Sequence, residues 1–195
     1  MARNLEFDRT RALEAAMKIF WSRGYVATSL VELLDAMNIA RSSFYASFGD
    51  KRLLFIECLD LFASRTLELL HKSDIEAAPE QSATAFFEKT LFDVPLKRTH
   101  NGCMMVNTIL ELADVDSELS ERAGHKLELI EQRFEQLFVR AVEQGRLATT
   151  HSPQSLAQYV MNINQGLRVQ SRKRAPRSEL RSIVDTSLSM AGLAA

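Results

Sequence analysis

Two stretches of the chain hold side chains whose type and spacing can act on a partner. In the first, Arg41, Ser42, Ser43, Ala46 and Ser47 fall on the outward side of one short helical run, and Ile39, Phe44 and Phe48 fall on the anchoring side. One cation among small residues lets a helix approach another surface closely. In the second, Cys103 follows Gly102 near a predicted helix start, where the helix dipole lowers a thiol's pKa and favours the reactive thiolate. Lys97, Arg98 and His100 lie close by in sequence and would add to that effect. The opposing reading makes Cys103 a small buried hydrophobe without reactivity, as Cys58 is between Ile56 and Leu59. His100 and Cys103 are three apart and share a helix face, but no second close pair of ligands completes a site, so neither metal nor cofactor is expected. The chain carries no Gly-x-Ser-x-Gly elbow, no phosphate-cradling glycine loop and no His-Glu-x-x-His, and no enzyme chemistry is expected of it.

The elements that must position these residues read as helices throughout, because apolar residues recur at helical spacing and no sustained period-two alternation appears. The predicted fold class is all-α. A first helix starts near Asp8, buries Leu13, Ala16, Met17 and Phe20, and ends at Gly24 in a left-handed conformation. Thr28 or Ser29 can cap a second helix, with Glu32 at capping-box spacing from Ser29, and its buried face is Leu30, Leu33, Leu34 and Met37. Asn38 then supplies a tight turn at positive φ, and a third short helix covers about Arg41 to Ser47. Two short helices joined by so brief a turn make a helix-turn-helix, in which the second helix projects side chains into the DNA major groove.

A long linking helix follows, over about 51–71, and the polar stretch from Lys72 to Ala78 before Pro79 reads as a hinge. Further helices are predicted over about Pro79 to Val94, Gly102 to Ala113, Ser117 to Gln144, Pro153 to Ser171 and Arg177 to Ala191. The division expected is a DNA-binding domain over 1–51, with three helices and the helix-turn-helix, and a larger helical regulatory and dimerisation domain over 52–195.

Composition is ordinary for a globular chain, 46% hydrophobic and 25% charged, and the net charge of −1 excludes bulk electrostatic coating of nucleic acid. It leaves room for a local basic face, and residues 1–51 carry a small excess of Lys and Arg over Asp and Glu. Two cysteines are too few for a disulfide framework and fit a reducing compartment. With no spanning stretch and a polar start at Met1 to Asn4, the expected location is the cytoplasm, with no membrane partner.

The segment from Thr28 to Lys51 resembles the DNA-binding signature of the TetR family of transcriptional regulators. The resemblance rests on a threonine-led helix, a turn, a short helix with the aromatic pair Phe44-Tyr45, and Phe48-Gly49-Asp50-Lys51. It implies that Thr28, Tyr45 and Lys51 contact phosphates and that Arg41, Ser42, Ser43, Ala46 and Ser47 face bases, with Arg41 the candidate reader of guanine. Leu34, Asn38, Ala40 and Ser42 depart from the usual alanine, glycine, capping serine and glycine of that signature. Gly102-Cys103 through Ala113 and Gly166 through Arg172 are also similar to segments of TetR-family regulatory domains.

The function implied is a DNA-binding regulator, a repressor whose partners are double-stranded operator DNA and a second copy of itself. A small-molecule or electrophile effector releases it. Candidate effector-pocket residues are Phe62, Phe86, Phe87, Cys103, Met104, Val106, Asn107, Glu111 and Phe134, though aromatic and Met residues at helical spacing are more often plain core. Candidate dimerisation residues on the last two helices are Leu156, Val160, Ile163, Leu167, Ile183, Val184, Leu188 and Met190, with burial in the subunit's own core as the alternative. The competing function is a TetR-like helical adaptor without sequence-specific DNA binding, which Leu34 and Ala40 would favour.

Overall fold

The structure is a computed structural model that describes residues 7–76 and 78–193, the side chains of 73–76 excepted. The polar start, Met1 to Asn4, lies outside the described residues, as does Ala77 within the expected hinge. Helix α1 (Arg9–Arg23) starts where the Asp8 carboxylate accepts the Arg11 amide at 3.1 Å. It buries Ala12, Ala16, Met17, Phe20 and Trp21 along one stripe. Gly24 ends it at φ 88° and ψ 177°, not in the left-handed helical well expected, because the chain must extend at once to bring the next two amides onto a neighbouring helix.

Helix α2 (Leu30–Met37) opens on both halves of the Ser29–Glu32 capping box and closes on Asn38 in the left-handed region, φ 53° and ψ 50°. Helix α3 (Arg41–Phe48) follows after Ala40, which supplies no side-chain cap. Helix α2 packs on α1, and α1 and α3 lie against α4 (Lys51–Glu76). That helix runs on past the predicted end at His71. The polar residues after it hold no glycine or proline before Pro79, and Lys72 pairs with Glu68 one turn back at 2.8 Å.

The single helix predicted from Pro79 to Val94 is instead three pieces: a 3₁₀ turn (Pro79–Gln81), α5 (Ser82–Phe87) and a π turn (Glu88–Phe92). The π turn shows in the Asp93 amide donating to the Glu88 carbonyl five residues back at 2.8 Å, and Arg168 from a distant helix donates to the Thr90 carbonyl within it at 3.1 Å. A short α6 (Leu96–Thr99), absent from the sequence reading, leads into α7 (Met104–Leu112). Then come α8 (Ser117–Glu143), α9 (Pro153–Arg172) and α10 (Arg177–Met190), close to their predicted limits. Ser152 caps α9 and Pro153 occupies its first turn, as the sequence requires.

The core is continuous from α1 to the end of α10. Helix α8 runs through it, burying Leu119, Ala123, Leu127, Ile130, Phe134, Leu137, Phe138 and Ala141 at steps of three and four. Ion pairs tie α4 to both sides: Arg65 to Glu14 of α1, Arg52 to Asp116 and Glu118 at the start of α8, and Lys126 of α8 to Asp60. Helix α4 therefore packs on α1 and α3 of the N-terminal helices and on α7 and α8 of the C-terminal ones. Among the described residues no helix is long and apolar enough to cross a membrane.

Candidate nucleic-acid interface and effector cavity

Helix α3 buries Phe44 and Phe48, at 0% and 3% exposure, and turns Arg41, Ser42, Tyr45 and Ala46 to the outside. Ser43 and Ser47 sit half-buried on its flanks. The Arg41 guanidinium lies 6.0 Å from the Tyr45 ring one turn on, a spacing at which cation and ring hold each other on the exposed face. Behind that face, Arg9 donates to the Ser47 carbonyl at 3.3 Å and pairs with Glu57 at 2.7 Å, which joins α3 to both α1 and α4. The Asp50 carboxylate accepts the Leu53 amide at 2.9 Å and so starts α4 beside α3. Lys51 is half-buried with its ammonium 4.5 Å from the Tyr25 ring, and burial lowers its pKa.

Thr28 departs from its predicted place on this surface. It is 1% exposed, and its hydroxyl donates to the Gly24 carbonyl at 2.6 Å, closing the turn between α1 and α2. A hydroxyl has one proton, and here it is already committed inside the protein.

A cavity of about 60 Å³ lies inside the larger set of helices, between the C-terminal half of α1, α4, α5, α7, α8 and α9. Of the predicted pocket residues, Phe62, Phe86 and Cys103 line it. Phe87, Met104 and Phe134 are buried in the surrounding core, and Val106 lines a separate, open cleft beside Gly24 and Arg172, with Asn107 and Glu111. Asn107 donates to the Asn101 carbonyl at 2.9 Å and Glu111 points toward α1; neither lines the cavity. Trp21, Thr90, Asn164 and Arg168 line it without having been picked from the sequence.

Cys103 is the residue before α7, as the sequence suggested, yet its thiol is pushed up, not down. Burial dominates; the nearby Arg168 charge and the amides of Val106 and Met105 pull the other way and lose. Of the cations predicted to assist it, Arg98 lies instead 5.4 Å from the Trp21 ring, and the cation that acts on the thiol is Arg168.

The cavity wall and the three N-terminal helices share a joint. Trp21 lines the cavity and its indole donates to the Gly102 carbonyl at 3.2 Å, while Arg172 donates to the Ser22 carbonyl at 3.2 Å. Glu111 of α7 accepts the Tyr25 and Val26 amides at 2.9 and 2.8 Å. A Cβ on Gly24 would lie 2.4 Å from that carboxylate, so only glycine allows this approach.

Comparison with known proteins places this geometry in a family. Residues 12–58 match the family described as bacterial regulatory proteins, tetR family, and residues 84–186 match the tetracyclin repressor-like C-terminal domain. The chain belongs to the TetR family. Its similarity to TetR regulators extends over nearly its whole length: it is 28% identical over 185 residues to the HTH-type transcriptional repressor ComR of Escherichia coli (strain K12), covering 93% of this chain and 88% of that one. It is 27% identical to the HTH-type transcriptional regulator YezE of Bacillus subtilis (strain 168), over 97% of this chain and 99% of that one. Among solved structures, a cysteine mutant of the TetR-family regulator CifR, complexed with 26 bp double-strand operator DNA, superposes with a TM-score of 0.84 at 27% identity, covering 96% of this chain and 98% of that one. This protein is a DNA-binding, all-helical transcriptional regulator of the TetR family, with an N-terminal helix-turn-helix and a C-terminal helical domain.

Within that TetR frame, most of the side chains predicted to meet a second subunit are already spent. Leu156, Val160, Leu167, Val184 and Leu188 are at most 4% exposed in the single chain, packed into its own core. Ile163 and Ile183 are half-buried, and Met190 is 79% exposed. Arg168 was missed although a signal for it existed. It falls on the buried stripe of α9 with Val160, Asn164, Leu167 and Ser171, where a cation is out of place.

Proposed function

We propose that this protein is a repressor that acts as a homodimer, and that filling the cavity beside Cys103, or modifying that thiol, releases it from operator DNA. The observation that carries the reading is α3, whose anchoring phenylalanines fix a helix that presents Arg41, Ser42, Tyr45 and Ala46 outward. The DNA-reading unit is residues 1–51, and 52–195 form the regulatory and dimerisation unit. Arg41 reads a base edge, Ser42 and Ala46 allow close approach, Ser43 and Ser47 flank the contact, and Tyr45 and Lys51 hold phosphates. The operator complex of CifR supports the DNA partner.

Dimerisation follows from the limited reach of one eight-residue recognition helix, which contacts too few base pairs for useful specificity. The exposed Met190 and the half-buried Ile163 and Ile183 of α9 and α10 are the side chains left for a partner. Release is a population shift: an occupied cavity favours a geometry in which the paired recognition helices no longer match successive major grooves, about 34 Å apart. Trp21 carries that change, since it touches both the cavity and the Gly102 carbonyl.

Selection of bound sites from random duplexes tests the reading. It predicts a two-fold symmetric site, steep salt dependence, and a cost of about 1–3 kcal/mol for Arg41→Ala with relaxed preference at one position per half-site. An asymmetric or absent consensus sinks it, as does an Arg41→Ala variant with unaltered selectivity.

A further inference from the structure

The cavity beside Cys103 has an unbalanced charge. Arg168 is 7% exposed and lines it. Its Nε donates to the Asn164 side-chain oxygen at 3.0 Å, and its two terminal nitrogens donate to the Thr90 carbonyl at 3.1 Å and the Thr90 hydroxyl at 2.7 Å. A guanidinium has five N–H groups, so two are left without a protein acceptor. Among the described residues no carboxylate reaches it, and the titratable group that acts on it is the Cys103 thiol, a neutral neighbour at ordinary pH. Arg65, Lys89 and Arg98 also line the cavity, and no Asp or Glu does. Of those three, Arg65 is paired with Glu14, which does not line the cavity.

Burial of a guanidinium without a counter-charge is costly, and it keeps its proton even there. Desolvation lowers its pKa but does not bring an arginine near neutrality. Trp21, Phe62 and Phe86 line the same cavity as Arg168 and give it an aromatic wall. A fixed fork of donors and aromatic rings in one lining match a short amphiphilic acid.

We propose that the cavity binds a small organic anion, a short-chain carboxylate whose charged end pairs with the free N–H groups of Arg168 and whose apolar end lies against Trp21, Phe62 and Phe86. A volume of about 60 Å³ restricts it to a few heavy atoms. The inference deepens the effector reading given above and rests on it for the consequence of binding, but not for binding itself.

Trp21 is the sole tryptophan of the chain and lines the cavity, so the emission comes from one site in the cavity wall. Titration of the full-length protein with sodium butyrate at constant ionic strength should give a saturable change in that emission. Butyramide, of equal size and no charge, should bind at least tenfold more weakly, and so should inorganic phosphate, which has no apolar end. Arg168→Met should weaken butyrate by about ten- to a hundredfold, the range for loss of a charge-assisted pair. The acid-over-amide preference is read on the unaltered protein and stands even if the Met variant does not fold. Equal binding of acid and amide, tighter binding of phosphate, unchanged affinity in Arg168→Met, or no saturable response to butyrate would each overturn the anion site. Butyrate that binds without weakening operator affinity would leave the anion site in place and remove the effector reading. Butyrate that fails to bind while thiol reagents still release DNA would do the reverse.

Discussion

The joint between α7 and the turn after α1 gives the sharpest prediction, because one carboxylate makes it. Glu111 accepts two backbone amides, Tyr25 at 2.9 Å and Val26 at 2.8 Å. Hydrogen bonds to a charged group contribute about 1.5–3 kcal/mol each when both partners are buried. Val26 is exposed and regains water when the carboxylate is removed, whereas Tyr25 is half-buried and regains less. Glu111→Ala should therefore cost about 2 kcal/mol, a fall in Tm of about 4–8 °C for a chain of this length. Gly24→Ala in the unaltered protein should cost more, since the new Cβ would lie 2.4 Å from the carboxylate and at φ 88°. The double variant removes the collision and keeps only the backbone strain, about 1–3 kcal/mol, so the two costs should be strongly non-additive. Calorimetric unfolding measures the cycle, and fluorescence anisotropy on a selected operator duplex measures the link to DNA. Glu111→Ala should also weaken the response of DNA binding to whatever fills the cavity, because α7 then loses its grip on the α1–α2 turn. An unaltered Tm, or a Gly24→Ala cost independent of residue 111, would refute this account of the joint.

Two further outcomes follow from single groups. Ala40→Ser should add a side-chain acceptor at the start of α3 and raise stability by about 1 kcal/mol, seen as a higher denaturant midpoint with an unchanged slope; a loss of stability would show that the Ala40 environment has no room for the hydroxyl. The Cys103 thiol, held above its ordinary value of 9.0 by burial, should react with iodoacetamide more slowly than a free cysteine at pH 8, with its rate profile moved to higher pH. Because the unfolded thiol loses its proton first, the folded state binds more protons above pH 9.0 and stability should fall there as pH rises, less so in Cys103→Ser. A rate equal to that of free cysteine would mean that the thiol is not sealed from solvent.

The helix-turn-helix was legible because its determinants are local. A capping box needs only Ser29 and Glu32 three residues apart, a left-handed turn needs a residue such as Asn38 that tolerates positive φ, and the anchoring of α3 needs aromatic residues one turn apart. The same locality explains the limits of α8 and α9, set by Gly145 and by Ser152-Pro153. Where distant residues decide, the sequence pointed elsewhere. Thr28 is a local exception: it stands in a phosphate-contacting position by pattern, but its hydroxyl donates to the carbonyl four residues back. Cys103 stands at a helix start, where the dipole lowers a thiol's pKa, yet the helices folded over it impose desolvation that outweighs the dipole.

Arg168 meets the π turn at Thr90 from 78 residues further on, and the geometry of Gly24 answers to Glu111, 87 residues further on, so no window of sequence holds both partners. Periodicity reports which face of a helix is apolar, but not whether that face meets its own core, a partner chain or a cavity. Leu156, Val160 and Leu167 share one pattern with Arg168, and the tertiary packing alone made the first three core and put the fourth beside an open space. Sequence by itself determined most of the helices, the caps at Ser29 and Ser152, and the family; packing in three dimensions decided which protons, charges and faces remain free to meet a ligand, because solvation depends on neighbours that the chain brings from far away.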